Sequence, residues 1–155
     1  MSVQLRPMRD DEFEAWLPQA QEVYARSMIE EGDVAPEWAN TQAAADVEQL
    51  FPGRRPSAEQ LVFVVEADGE PVGDLWLAER EDTMQPCLYV YGIRVAEAHR
   101  GRGYGKAAML LAEEEARRRG IGRVALNVFG RNTVARSLYR SLGYDENAVA
   151  MSKTL

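Results

Sequence analysis

A mixed α/β sheet with helices on both faces is the architecture that this 155-residue sequence predicts, and three features predict it. Short runs rich in branched and aromatic residues punctuate the chain as strands. Between them lie segments whose apolar residues recur at helical spacing. A glycine-rich basic turn, Arg100-Gly-Arg-Gly-Tyr-Gly-Lys106, leads from an apolar strand into a helix. The order is strand, helices, four strands interrupted by one helix, then a helix and short strands, which suits two helical layers over one sheet.

Val3-Gln-Leu-Arg-Pro7 reads as the first strand. Asp10 or Asp11 caps a helix with Phe13, Leu17, Ala20, Val23 and Tyr24 on its stripe, and Pro18 is expected to bend or split it. A second helix follows Pro36, with Trp38, Ala45 and Leu50 as contacts, and ends near Phe51-Pro52-Gly53. Residues 54–59 form a loop. Leu61–Glu66 and Pro71–Ala78 are strands joined by Asp68-Gly69, a hairpin signal. A polar connection over 79–86 precedes the strand Leu88–Val95, which feeds the glycine turn. The helix Gly105–Arg119 sets Glu113, Glu114 and Glu115 each four residues before Arg117, Arg118 and Arg119, and Gly120 caps its end. Val124–Phe129 is a strand. Asn132 or Thr133 starts a helix with Ala135, Leu138, Tyr139 and Leu142 on one stripe, and Gly143 stops it. Two final strands are expected around Tyr144–Asp145 and Ala148–Lys153.

The chain, read as a single domain over 1–155, is long enough to bury roughly two-thirds of its unfolded surface. It has no apolar run long enough to span a membrane and no apolar signal core between Met1 and Asp11. Cys87, the one cysteine, makes no internal disulfide, which fits a reducing cytoplasm. His99 is the one histidine, and Cys/His metal spacing is absent. Net charge is −7, unevenly spread: residues 1–86 carry 6 basic and 19 acidic side chains, residues 87–125 carry 8 and 4. A polyanionic cofactor therefore meets the middle of the chain, and nucleic acid is a poor partner. The acidic half is either solvated surface or a lean toward a cationic substrate.

Gly101, Gly103 and Gly105 clear side chains from the turn, the helix start offers free N–H groups and a positive dipole end, and Arg100, Arg102 and Lys106 add charge. Such a turn holds an anion, a phosphate or diphosphate first of all. A Walker A loop would need Gly at Arg100 and a hydroxyl at Ala107; a dinucleotide fingerprint would need its third Gly at Tyr104 or Lys106. What remains is Arg-x-x-Gly-x-Gly on Arg100, Gly103 and Gly105.

That motif resembles the coenzyme A diphosphate loop of the GNAT N-acetyltransferase superfamily. Asn132-Thr-Val-Ala-Arg-Ser-Leu-Tyr139 matches the family's Asn-x-x-Ala-x-x-Leu-Tyr, and Leu142-Gly-Tyr144 its usual helix ending. The ending Met151–Leu155 resembles a small bacterial subgroup. The resemblance runs from Val3 to Leu155 and implies the GNAT fold, with a mostly antiparallel sheet of six to seven strands. It implies acetyl-CoA as cosubstrate and an amine of a small molecule, protein or peptide as acceptor. By the same resemblance the backbone of Arg100, Gly101, Arg102, Gly103, Tyr104, Gly105 and Lys106 holds the diphosphate. Ile93, Arg94 and Val95 pair with the pantetheine amides, beside a splayed neighbouring strand. Asn132 holds the arm or a water, and Tyr139 protonates the leaving thiolate. No membrane or metal is implied, and a homodimer stays open.

Each assignment has a plainer alternative. Tyr139 on an apolar stripe also serves packing, Asn132 also caps a helix, and Trp76 alternates with Leu75 and Leu77 as a core residue would. The general base is unassigned: the strand before the turn offers Tyr89, Tyr91 and Gly92 but no carboxylate, leaving Glu66, Asp74 or water beside Tyr91. Trp38, Glu30, Glu31, Asp33 and Glu37 fall in the region that, by resemblance, covers the acceptor site. Without a base the alternative is a CoA-binding sensor or interaction protein.

Overall fold

The computed structural model describes residues 2–81 and 85–155. Part of the polar connection expected over 79–86 therefore lies outside the described residues. One sheet is ordered β1-β2-β3-β4-β5, with β1 Val3–Pro7, β2 Gln60–Ala67, β3 Glu70–Arg80, β4 Cys87–Val95 and β5 Val124–Leu126. The first three pairings are antiparallel; β4 and β5 run parallel. Asp68 and Gly69, both at positive φ, make the tight turn between β2 and β3.

Alternation along β3 divides the core between two faces. Leu75 and Leu77 point into a cluster with Val65, Leu88, Val90, Tyr104, Ala108 and Met109, under helix α3, Tyr104–Arg118. Trp76 points the other way, into Phe13, Trp16, Leu17, Val47 and Phe51 of the layer made by helices α1, Asp10–Glu30, and α2, Pro36–Leu50. The last helix, α4, Thr133–Ser141, lays Tyr139 and Leu142 against the α3 side. Buried Glu115 on α3 is matched by Arg118 and by Arg119 at 2.8 Å, so its charge is compensated.

Three sequence expectations are corrected. Pro18 does not split α1, because it sits on the exposed face, where the Glu14 carbonyl it leaves unbonded can turn to water. The cap residue is Arg9 rather than Asp10 or Asp11; its N–H donates to Glu12 Oε1 at 3.0 Å, while the two aspartates sit in the first turn facing the dipole. The sheet has five strands among the described residues, not six to seven. After Gly143, at φ 89°, the chain turns back along α4, where Glu146 accepts from Arg136 and Arg140. Val149 and Met151 then stay exposed at 71% and 91%, so Ala148–Lys153 has no face to bury, and among the described residues neither it nor Tyr144–Asp145 pairs with a strand.

Helix ends follow local chemistry more faithfully. Gly120, at φ 72°, closes α3 with Ile121 N–H donating to Ala116 O and Gly120 N–H to Arg117 O. Gly143 closes α4 with the same pair of bonds, from Tyr144 to Tyr139 and from Gly143 to Arg140. No helix among the described residues is long and apolar enough to cross a membrane.

Candidate active site

β4 delivers the chain to Ala96, a single 3-10 turn spans Glu97–His99, and the glycine turn follows. Gly101 and Gly103 take positive φ, 77° and 84°, and nothing lies within 4 Å of where their Cβ atoms would stand. Gly103 is the cap of α3 and supplies no side-chain bond; the first helical bond runs from Ala107 N–H to Gly103 O at 3.0 Å. Among the described residues, no acceptor meets the N–H groups of residues 101–106. Six consecutive donors at a dipole's positive end, with empty space before them and exposed Arg102 and Lys106 alongside, fit a diphosphate. Arg100 has a different job than its charge suggests: Nε donates to Val95 O at 3.0 Å and braces the turn against the end of β4. Tyr104 is buried and offers only its backbone, while Gly105 packs on Leu138 and Val95 at 3.6 and 3.9 Å.

The neighbouring strand is released at the same point. In the β3–β4 register Trp76 faces Gly92 and Leu77 faces Val90, so Tyr91 is an extra residue, a β-bulge. The parallel pairing with β5 ends at Val90 opposite Leu126. From Tyr91 to Val95, therefore, one edge of β4 has no strand beside it among the described residues. The chain after β5 departs toward α1 and α2: Phe129 packs on Met28, Ala25, Ala39 and Ala43, and Arg131 grips Asp33 through both oxygens, one bond being 2.9 Å. Gly32 fits there because a Cβ would stand 2.7 Å from the Phe129 ring. This departure opens the gap between β4 and β5 on which the resemblance depended.

α4 borders the gap. Asn132 caps it, its side-chain oxygen accepting from Ala135 N–H at 3.1 Å, and its amide donors meet no partner among the described residues. Tyr139 is half-buried, with its ring 6.0 Å from that of Tyr144. Desolvation pushes its phenol above the ordinary value, which keeps the proton on at neutral pH.

The proposed bases are already engaged. Asp74 pairs with Arg94 at 2.9 Å, and Glu66 with Arg6 at 3.2 Å. The Arg94 side chain consequently faces α1, reaching Gln19 at 3.3 Å, and only its backbone borders the gap. Tyr91 stacks on Trp76 with centroids 4.8 Å apart and meets the edge of Tyr89 at 4.8 Å. Trp76 is core, its Nε1 donating to Gln60 at 2.8 Å, while Trp38 is 64% exposed. Sequence reasoning missed one group here: Tyr24 of α1 donates to Asp46 of α2 at 2.9 Å, and Gln42 Nε2 donates to the other oxygen at 2.9 Å. The one signal in the sequence was the i, i+4 spacing of Gln42 and Asp46.

Comparison with known proteins places this geometry in context. The sequence model of the Acetyltransferase (GNAT) family matches residues 9–144. The N-acetyltransferase YycN of Bacillus subtilis is 31% identical over 156 residues, covering all of both chains. YdgE from the same organism is 31% identical over all of this chain and 99% of its own. The crystal structure of YycN superposes with a TM-score of 0.86 at 30% identity over 99% of each chain. The aminoglycoside N-acetyltransferase AAC(6′)-Iy, solved with CoA, shares the fold at a TM-score of 0.64 and 19% identity, over 99% of this chain and 95% of that one.

Proposed function

Because the chain belongs to the acetyltransferase (GNAT) family, as an N-acetyltransferase whose cosubstrate is acetyl-CoA, we propose that its 100–106 turn and the free edge of β4 hold that cosubstrate while Tyr139 acts as the acid of transfer. One observation carries the reading: six consecutive N–H groups without acceptors, continuous with a strand edge whose neighbour has left it. The turn binds the diphosphate through those N–H groups, with Arg102 and Lys106 adding charge. Ile93 to Val95 meet the amide-bearing arm as a strand would, and the free amide of Asn132 steadies it.

Acetyl-CoA supplies the acetyl thioester. An N–H on the β4 edge donates to the acetyl oxygen as it gains charge. As the amine nitrogen bonds to the carbonyl carbon and the carbon–sulfur bond breaks, Tyr139 gives its proton to the sulfur. The amine's own proton leaves to water, from which the Tyr139 phenolate recovers one, since β4 carries no carboxylate and Asp74 and Glu66 are held by arginines. The acceptor is a primary amine of a small molecule or of a protein or peptide.

Tyr139→Phe tests the assignment. With any amine that supports thiol release, kcat falls by about 10²-fold while the Kd for acetyl-CoA holds. An unchanged kcat returns Tyr139 to packing alone.

A further inference from the structure

The chain carries both halves of a strand pairing that it does not make. β5, Val124–Leu126, ends the sheet order and has β4 as its one neighbour among the described residues. Its outer edge therefore carries backbone N–H and C=O groups with no strand to bond. The segment after α4 supplies the other half. Over residues 145–155 every position is exposed and none lies in a helix or strand. Val149 and Met151 stand out at 71% and 91% exposed, and Leu155 is fully so.

That segment is written as a strand with one face to bury. In extended form Val149, Met151 and Leu155 share a side with Lys153, and the small residues at 148, 150, 152 and 154 share the other. Large apolar side chains on one side gain from being covered and gain nothing in water. β5 offers the matching surface: Val124 and Leu126 pack on the core under α3, and a strand laid beside them extends that face. The segment's root is fixed, since Glu146 accepts from Arg136 and, at 2.7 Å, from Arg140, both on α4. Beyond that root no backbone hydrogen bond holds it to its own chain among the described residues.

We propose that residues 148–153 of one copy add as a strand to the outer edge of β5 in a second copy, and that the exchange is reciprocal, giving a two-fold dimer. A second copy is the partner that brings both an open β5 edge and a free segment. A two-fold axis pairs each with the other and leaves neither over. Main-chain bonds supply the attachment, and Val149 and Met151 supply the burial. The exchange also gives β5, three residues long, a second neighbour on the side away from the gap. It stands independently of the acetyl-transfer reading above.

Sedimentation equilibrium of the full chain over a dilution series reads the mass directly. The unaltered protein is expected at twice the chain's 17.4 kDa. Val149→Asp combined with Met151→Asp strips the apolar contacts from both exchanged strands. It should raise the dissociation constant of the dimer by more than about 100-fold. Both positions are exposed in the single chain, so the variant's circular dichroism spectrum should match that of the unaltered protein. Cross-linking then locates the strand. Ala125→Cys lies on the face of β5 opposite Val124 and Leu126, and Ala150→Cys lies on the small side of the segment, while native Cys87 is fully buried. With a short bismaleimide the double variant should give a covalent dimer on a denaturing gel, and neither cysteine alone should. A mass of 17.4 kDa throughout the series, or a dimer that survives the two aspartates, overturns the proposal. So does a cross-link formed within one chain, which would seat the segment on its own β5.

Discussion

Adding one methyl group at each of two glycines in the 100–106 turn should push stability in opposite directions. Gly103 holds φ 84° at the cap of α3, where an L side chain is strained by 1–2 kcal/mol. The reduced freedom of the unfolded chain returns about 0.4–1 kcal/mol, leaving Gly103→Ala destabilised by roughly 1 kcal/mol. Gly105 lies in the first turn of α3 with its Cβ direction toward Leu138 and Val95 at 3.6 and 3.9 Å, ordinary contact distances. Gly105→Ala should gain about 0.5–1 kcal/mol from helix propensity. At about 2–4 °C per kcal/mol for a chain of this size, the two melting temperatures should separate by about 3–8 °C. Ligand response divides them further. Acetyl-CoA at 100 times its Kd stabilises the native state by about 2.7 kcal/mol, a rise of roughly 5–10 °C. The methyl at Gly103 stands in the open space before the free N–H groups and should remove most of that rise, whereas the methyl at Gly105 points into the protein and should preserve it. Melting curves with and without acetyl-CoA read both effects. A Gly103→Ala protein that keeps the full ligand-induced rise would refute the anion cradle.

Elsewhere, a Cβ at Gly73 of β3 would stand 2.1 Å from the carbonyl oxygen of Arg94 in β4, a backbone atom that cannot step aside. Gly73→Ala should cost about 3 kcal/mol and lower the melting temperature by roughly 6–12 °C, and an unshifted melt would contradict the register there. Glu12 is held down to about 2, first by the hydrogen bond from Arg6 and then by the Arg9 N–H. A lowered carboxylate contributes stability above its unfolded value and loses it as pH falls toward the folded one. The melting temperature should therefore decline between about pH 4.5 and 2, and Glu12→Gln should flatten part of that slope; an identical slope in the variant would assign the acid loss to other groups.

What the sequence revealed and what it concealed divide by range. The glycine turn, the Asp68-Gly69 hairpin and the caps at Gly120 and Gly143 were legible because each is set within a few residues by the conformations glycine permits. The bulge at Tyr91 and the end of β5 at Leu126 were not, because each depends on which strand stands opposite. The paired strands expected after Gly143 failed for a similar reason: strand-like composition forms a strand only where an edge and a buried face receive it. The candidate bases Glu66 and Asp74 looked available because their arginines, Arg6 and Arg94, lie 60 and 20 residues away.

The charge count illustrates the same limit. Nineteen acidic residues before position 87 suggested a half that welcomes cations, yet several of these are spent on arginines from elsewhere in the chain. Arg94 takes Asp74, Arg119 takes Glu79, and Arg131 takes Asp33, the one member of the acidic run after α1 that reaches the β5–α4 connection. Net charge thus overstates the pull on a cation. The proposed cofactor site rests on backbone groups in one contiguous run, so a motif could announce it. No comparable contiguous run of residues announces the acceptor, so the family motifs leave its choice unread.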